Sequence, residues 1–126
     1  MDKNHLLEQE IEFIDKRIGE EEAKIQQAKD LEVLFATEAF DRVILQAYMV
    51  GEADRITSAI TMPDGMKREH IQTAMDKLVA IRHLRKFLAN LELDSSFAVE
   101  NIEDLKSTRI DIKANPEKYI STEEEE

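Results

Sequence analysis

Cysteine is absent from this 126-residue chain, tryptophan is absent too, glycine occurs three times and proline twice. Without cysteine there can be no disulfide, no thiolate metal site and no cysteine nucleophile. So few turn formers exclude an all-β sandwich or barrel, which needs a turn signal roughly every 8–12 residues. Gly19, Gly51 and Gly65 are isolated from one another, so a glycine-rich phosphate loop is excluded as well. No apolar run of about 18 residues reads as a membrane span. Met1 to Glu10 lacks an apolar core and does not read as a signal peptide.

What the chain has is charge, and mostly of one sign. Asp and Glu number 28 against 17 Lys and Arg, a formal net charge of −11. Such a balance repels phosphate backbones and argues against direct DNA or RNA binding. Only the stretch with Lys67, Arg68, Lys77, Arg82, Arg85 and Lys86 leans basic, and it reads as a solvated helix face.

Helical periodicity fills most of the sequence. From Lys3 to Ala36, Leu7, Ile11, Ile14, Ile18, Ile25 and Ala28 follow heptad spacing, with Glu21 in the one slot that breaks the apolar run. Glu20–Lys24 and Arg17–Glu21 are spaced as i,i+4 pairs. A helix of this length reaches about 50 Å, more than a compact chain of this size needs. A second helix is expected over Glu38–Thr61, with Thr37 as N-cap. Phe40, Val43, Ile44, Ala47, Ile56, Ala59 and Ile60 would form one apolar stripe, and Gly51 on it would admit a neighbouring helix. Met62-Pro63-Asp64-Gly65 is a turn signal. A third helix then follows from about Lys67 to Leu93, antiparallel to the second, on Ile71, Ala74, Leu78, Ile81, Leu84, Leu88 and Leu91. Phe40, Ile44, Leu78 and Ile81 are the expected core.

After Asp94-Ser95-Ser96 the pattern weakens. Phe97–Leu105 reads as a short helix capped by Ser95 or Ser96, and Arg109–Lys113 alternates like a strand. The four terminal glutamates read as disordered. The fold expected is therefore all-α. It has a helical domain over residues 1–93, a long N-terminal helix plus an antiparallel hairpin in a three-helix bundle or coiled-coil-like arrangement. Residues 94–126 would be an extended, partly disordered acidic C-terminal tail.

Chemistry-bearing constellations are missing. His5, His70 and His83 are far apart, and no Glu-x-x-His or His-Glu-x-x-His pattern occurs. None of the serines has a Gly-x-Ser-x-Gly context. Tyr48 reads as a core tyrosine with its hydroxyl at the rim, and Met49, Met62, Met66 and Met75 as packing near the turn. No catalytic residue, cofactor, metal or small-molecule substrate is expected.

Three stretches carry a resemblance. Phe40-x-x-Val43-Ile44-Leu45-x-x-Tyr48, then Glu52-Ala53-x-Arg55-Ile56, then Leu78-x-x-Ile81-x-x-Leu84-x-x-Phe87-Leu88 resemble a group of short, acidic, helical proteins of tailed bacteriophages. The resemblance covers about residues 25–93 and implies a virion-associated or accessory role, hence a virion or host-cytoplasmic location, without any catalytic residue. The chain thus reads as a non-enzymatic assembly protein that forms homo-oligomers or docks on other virion proteins, with no membrane contact. The interaction residues expected are Leu7, Ile11, Ile14 and Ile18 on the first helix, and Ile110, Ile112 and Tyr119 on the tail. Arg82, Arg85 and Lys86 would receive the tail's acidic groups. On this reading the segment 107–126 is dispensable for folding. The alternative is an acidic inhibitor or DNA mimic that blocks a host nucleic-acid-binding protein. A small helical enzyme comes third.

Overall fold

The computed structural model of the chain describes residues 3–62 and 64–119. The helical segments are, in order, α1 (Lys3–Phe35), α2 (Glu38–Phe40), a π-helix (Asp41–Glu52), α3 (Ala53–Ile60) and α4 (Arg68–Ala114), with residues 117–119 helical after them. The all-α reading holds, and no strand is present among the described residues. No described helix is long and apolar enough to cross a membrane. The expected acidic end, Glu123–Glu126, lies outside the described residues. The chain divides into two compact units, one built from Met1–Ala28 and Leu93–Glu126, the other from Lys29–Glu92.

The first unit is an antiparallel helix pair. Ile14 and Ile18 of α1 are buried with Ile102 and Ile112 of α4, and Leu7, Ile11, Ile25 and Leu105 pack against them. The direction follows from the cross-pairs, since Asp15 meets Arg109 while Glu21, further along α1, meets Asn101, earlier in α4.

This arrangement corrects the reading of residues 94–114 as an extended tail. Asp94-Ser95-Ser96 is no break, and Arg109–Lys113 is helix. Asp and Ser are weaker helix formers than Ala by only about half a kcal/mol each. The 3–4 spacing continues across them, through half-buried Ser95, buried Ala98 and Ile102, half-buried Leu105 and Arg109, to buried Ile112. Burial of that face outweighs the local β preference of Ile110 and Ile112. The helix ends where Asn115-Pro116 follows, because proline disfavours helical backbone in the residue before it.

The second unit holds the hairpin. Gly65 closes the turn at φ 67°, its N–H donating to the Met62 carbonyl at 2.9 Å. Leu31, Met49, Ile56, Ala74 and Ile81 are buried. Of the expected core only Ile81 is fully enclosed; Phe40, Ile44 and Leu78 are half-buried. Thr37 has the extended backbone of an N-cap, but its hydroxyl turns back to donate to the Leu34 carbonyl at 2.6 Å.

The helix after Thr37 departs from the expected single α stripe. At 3.6 residues per turn, Phe40 and Ile56 would lie about 160° apart on an α-helix. In the structure both turn inward, Phe40 against Phe35 with ring centroids 5.7 Å apart and Ile56 fully buried. The wider π turns between them absorb the phase difference. Phe40, Ile44, Leu45, Met49 and Ala53 then share the inner side at spacings of four to five, while Val43, Ala47 and Gly51 turn out. Gly51 consequently meets no neighbouring helix. A Cβ there would face only the Gln46 carbonyl of its own helix, at 3.2 Å.

Candidate interaction surfaces

Heptad spacing alone leaves the strip of Leu7, Ile11, Ile14 and Ile18 awaiting a partner. Ile14 and Ile18 are covered within the chain, only 3% and 6% exposed, and Leu7 and Ile11 are half-buried against them. The surplus length of α1 finds its partner in the second half of α4, which a sequence reading that ends the helix at Leu93 does not supply. Ile112 is likewise buried, at 2%, and is a core residue. Ile110, two positions earlier, is 66% exposed.

A polar layer interrupts this seam. Glu21 is buried where an apolar residue would continue the heptad. Its carboxylate accepts from Lys24 at 3.1 Å and from Asn101 at 3.3 Å. Lys24 therefore pairs with Glu21 rather than with Glu20. The bond from Lys24 holds the Glu21 carboxyl below the usual carboxylate range, against the opposing effect of burial, with Asn101 adding to the lowering. A satisfied polar pair inside a helical seam favours one register over slipped alternatives. Arg109 reinforces that register from the seam's edge, donating to Asp15 at 2.6 Å.

Asp111 gathers the residues that follow α4. It accepts from the Tyr119 hydroxyl, from Asn115 at 2.9 Å and from Lys118 at 3.3 Å. These bonds, led by that of Tyr119, lower the Asp111 pKa. Tyr119 is thus bound to its own chain. Both Glu21 and Asp111 titrate lower when folded than unfolded. Their stabilisation is complete above the unfolded carboxylate range and is lost as pH falls through the folded values. Thermal melts followed by circular dichroism should hold level from neutral pH to about 5 and fall from there toward about 3. Asp111→Asn should flatten part of that decline.

Arg82, Arg85 and Lys86 are exposed on α4. Arg85 is engaged within its own unit, donating to the Met49 carbonyl at 3.3 Å. The acidic groups that these three were to receive belong to the other unit, and Glu123–Glu126 among them lie outside the described residues. Tyr48 stands at the surface rather than in the core, and Met49 is buried while Met62 and Met75 are exposed.

The second unit carries an open groove of about 460 Å³ beside the π-helix. Val43, Ala47, Tyr48, Ala80 and Ile81 line it, with Glu52 and Lys77 as its charged members. Arg55 holds Glu52 through Nε at 3.1 Å and lowers its pKa. Val43 is 60% exposed. A reading that takes Phe40, Val43, Ile44 and Ala47 as the core stripe places it inside, whereas a helical phase set by buried Ile56 leaves it outward. Among the described residues no group of three or more His, Asp or Glu is placed to hold a metal ion. Of the histidines, His5 pairs with Gln9 at 3.3 Å, His70 lines a smaller depression near Met66, and His83 is exposed. Comparisons with protein-family models, with curated proteins and with solved structures find no match to this chain.

Proposed function

We propose that this chain is a non-enzymatic helical assembly protein that oligomerises or docks on a larger assembly, as a structural or accessory component of a tailed-phage virion. The phage assignment rests on the resemblance over residues 25–93. The assembly role rests on one observation: after each unit has filled its own core, an apolar groove remains open, with Val43 and Tyr48 facing outward beside Ala80 and Ile81. Contiguous apolar surface left in the open is characteristic of contact sites. The groove replaces the Leu7–Ile18 strip as the proposed contact, because Ile14 and Ile18 of that strip are already buried. The competing reading, mimicry of DNA charge, calls for an unbroken acidic face. Lys24, Arg109 and Lys118 sit against Glu21, Asp15 and Asp111, which counts against it.

Sedimentation equilibrium at micromolar concentration tests the self-assembly branch. The expected mass is a multiple of 14.6 kDa. Val43→Glu should shift the species toward monomer while leaving the melting temperature within about 2 °C, since an exposed substitution changes stability by no more than about 0.5 kcal/mol. An oligomer indifferent to Val43→Glu would remove the groove from the contact. A strict monomer would leave only docking on another protein. Mass spectrometry of purified particles of the encoding phage tests the virion assignment.

A further inference from the structure

We propose that the π-helix Asp41–Glu52 is one state of a two-state segment, and that its alternative is a continuous α-helix from Glu38 to Ile60 which turns Phe40 and Ile44 outward. The sequence carries two apolar stripes that an α-helix would place on opposite faces. Leu45 and Met49 lie within about 20° of Ile56 on an α-helix, whereas Ile44 lies about 120° and Phe40 about 160° away. Only the π form brings both stripes to one side.

The two states are close in free energy for identifiable reasons. π-helices occur mostly as single-turn bulges, and this one spans twelve residues, so its backbone is the less favoured form. What it gains is partial, because Phe40 and Ile44 are only half-buried. Met49 and Ile56, which are fully buried, keep their places in either geometry. Gly51 helps to hold the balance. A side chain there would press on the Gln46 carbonyl at 3.2 Å, five residues back, which is the position of a π-helical acceptor. Glycine removes that contact and is also a poor α former.

Conversion would align Phe40, Val43, Ile44 and Ala47 as an outward stripe, next to the groove that Val43, Ala47 and Tyr48 already line. The segment is then a device that enlarges the apolar contact surface. That consequence rests on the assembly reading above; the conversion itself does not, and its test reads the helix alone.

Because the chain has no cysteine, single engineered thiols report accessibility without background. Val43→Cys should react readily in either state, and Met49→Cys should be protected in either. Ile44→Cys distinguishes them, being shielded in the π form and open in the α form. Adding Gly51→Ala favours the α-helix, and the rate at Ile44→Cys should rise about fivefold, as the preference of an α-helix for Ala over Gly implies, with Met49→Cys unchanged. Through-hydrogen-bond NMR couplings give a second readout that needs no thiol. Amides in 41–52 should couple to the carbonyl five residues back in the wild-type chain and shift toward four back in Gly51→Ala. An unchanged Ile44→Cys rate, parallel opening of Met49→Cys, or couplings unaltered by Gly51→Ala would each overturn the proposal.

Discussion

Deleting residues 107–126 is expected to lower the melting temperature by roughly 10–20 °C and to unravel the helix pair of the first unit. The deletion removes Ile112, one of four isoleucines at the centre of that unit's buried cluster. Truncating a buried isoleucine to alanine alone costs about 2–5 kcal/mol. At this chain length each kcal/mol moves the midpoint by about 2–8 °C. Arg109 and its bond to Asp15 go with it, as does the cluster of donors around Asp111. The tail reading of the sequence expects the opposite, a deletion that leaves the helices intact. Differential scanning calorimetry separates the two, and Ile112→Ala repeats the test without shortening the chain. A midpoint shift under about 3 °C for both variants would mean that α4 is dispensable beyond Lys106.

Replacing Ile14 with Asp should unfold the first unit rather than merely separate subunits. Ile14 is buried among Ile18, Ile102 and Ile112. A carboxylate introduced there loses its hydration without gaining a planned partner, in addition to the isoleucine contacts that vanish. The combined cost is at least about 4 kcal/mol. The damage should be pH-dependent. Burial disfavours the charged form and raises the pKa of the introduced carboxyl, so the loss is largest at neutral pH and shrinks on acidification. This is the reverse of the wild-type trend set by Glu21 and Asp111. Glu12→Gln, at an exposed position of the same helix, should melt like the parent. Urea denaturation at pH 7 and pH 4 measures both effects. If the Ile14→Asp chain kept its stability and lost only mass in the ultracentrifuge, the strip would belong to an intermolecular seam after all.

The interaction residues expected from sequence fare unequally for one reason: periodicity reports that a face is apolar but not which chain covers it. Leu7, Ile11, Ile14 and Ile18 are as regular as a coiled-coil seam, and their cover comes from residues 93–114 of the same chain. The signal for that cover is weak in the sequence, because Ser95 and Arg109 put polar side chains at seam positions. Once Ser95, Ala98, Ile102, Leu105, Arg109 and Ile112 are read together, the 3–4 spacing is unbroken. Small and polar side chains are tolerated there because the partner face supplies bonds, as Glu21 does for Asn101 and Asp15 for Arg109.

The outward groove is less legible still. Val43 and Ala47 fall on an apolar stripe in any α-helical projection, and nothing in local propensity distinguishes a π turn from an α turn. The phase conflict between Phe40 and Ile56 is present in the sequence, but whether a helix answers it by kinking, by exposing one stripe or by widening depends on what each end packs against.

By itself, then, the sequence determined that the chain is helical, that a turn closes near Gly65, and that α1 carries a heptad strip interrupted by Glu21. These follow from spacing and from single-residue backbone preferences, which act over a few residues. Tertiary structure alone decided that the strip is satisfied within the chain, that α4 continues to Ala114 across a serine pair, and that the segment 41–52 winds as a π-helix. Each of those outcomes depends on burial against residues distant along the chain, and burial outweighs local preferences of a few tenths of a kcal/mol per residue.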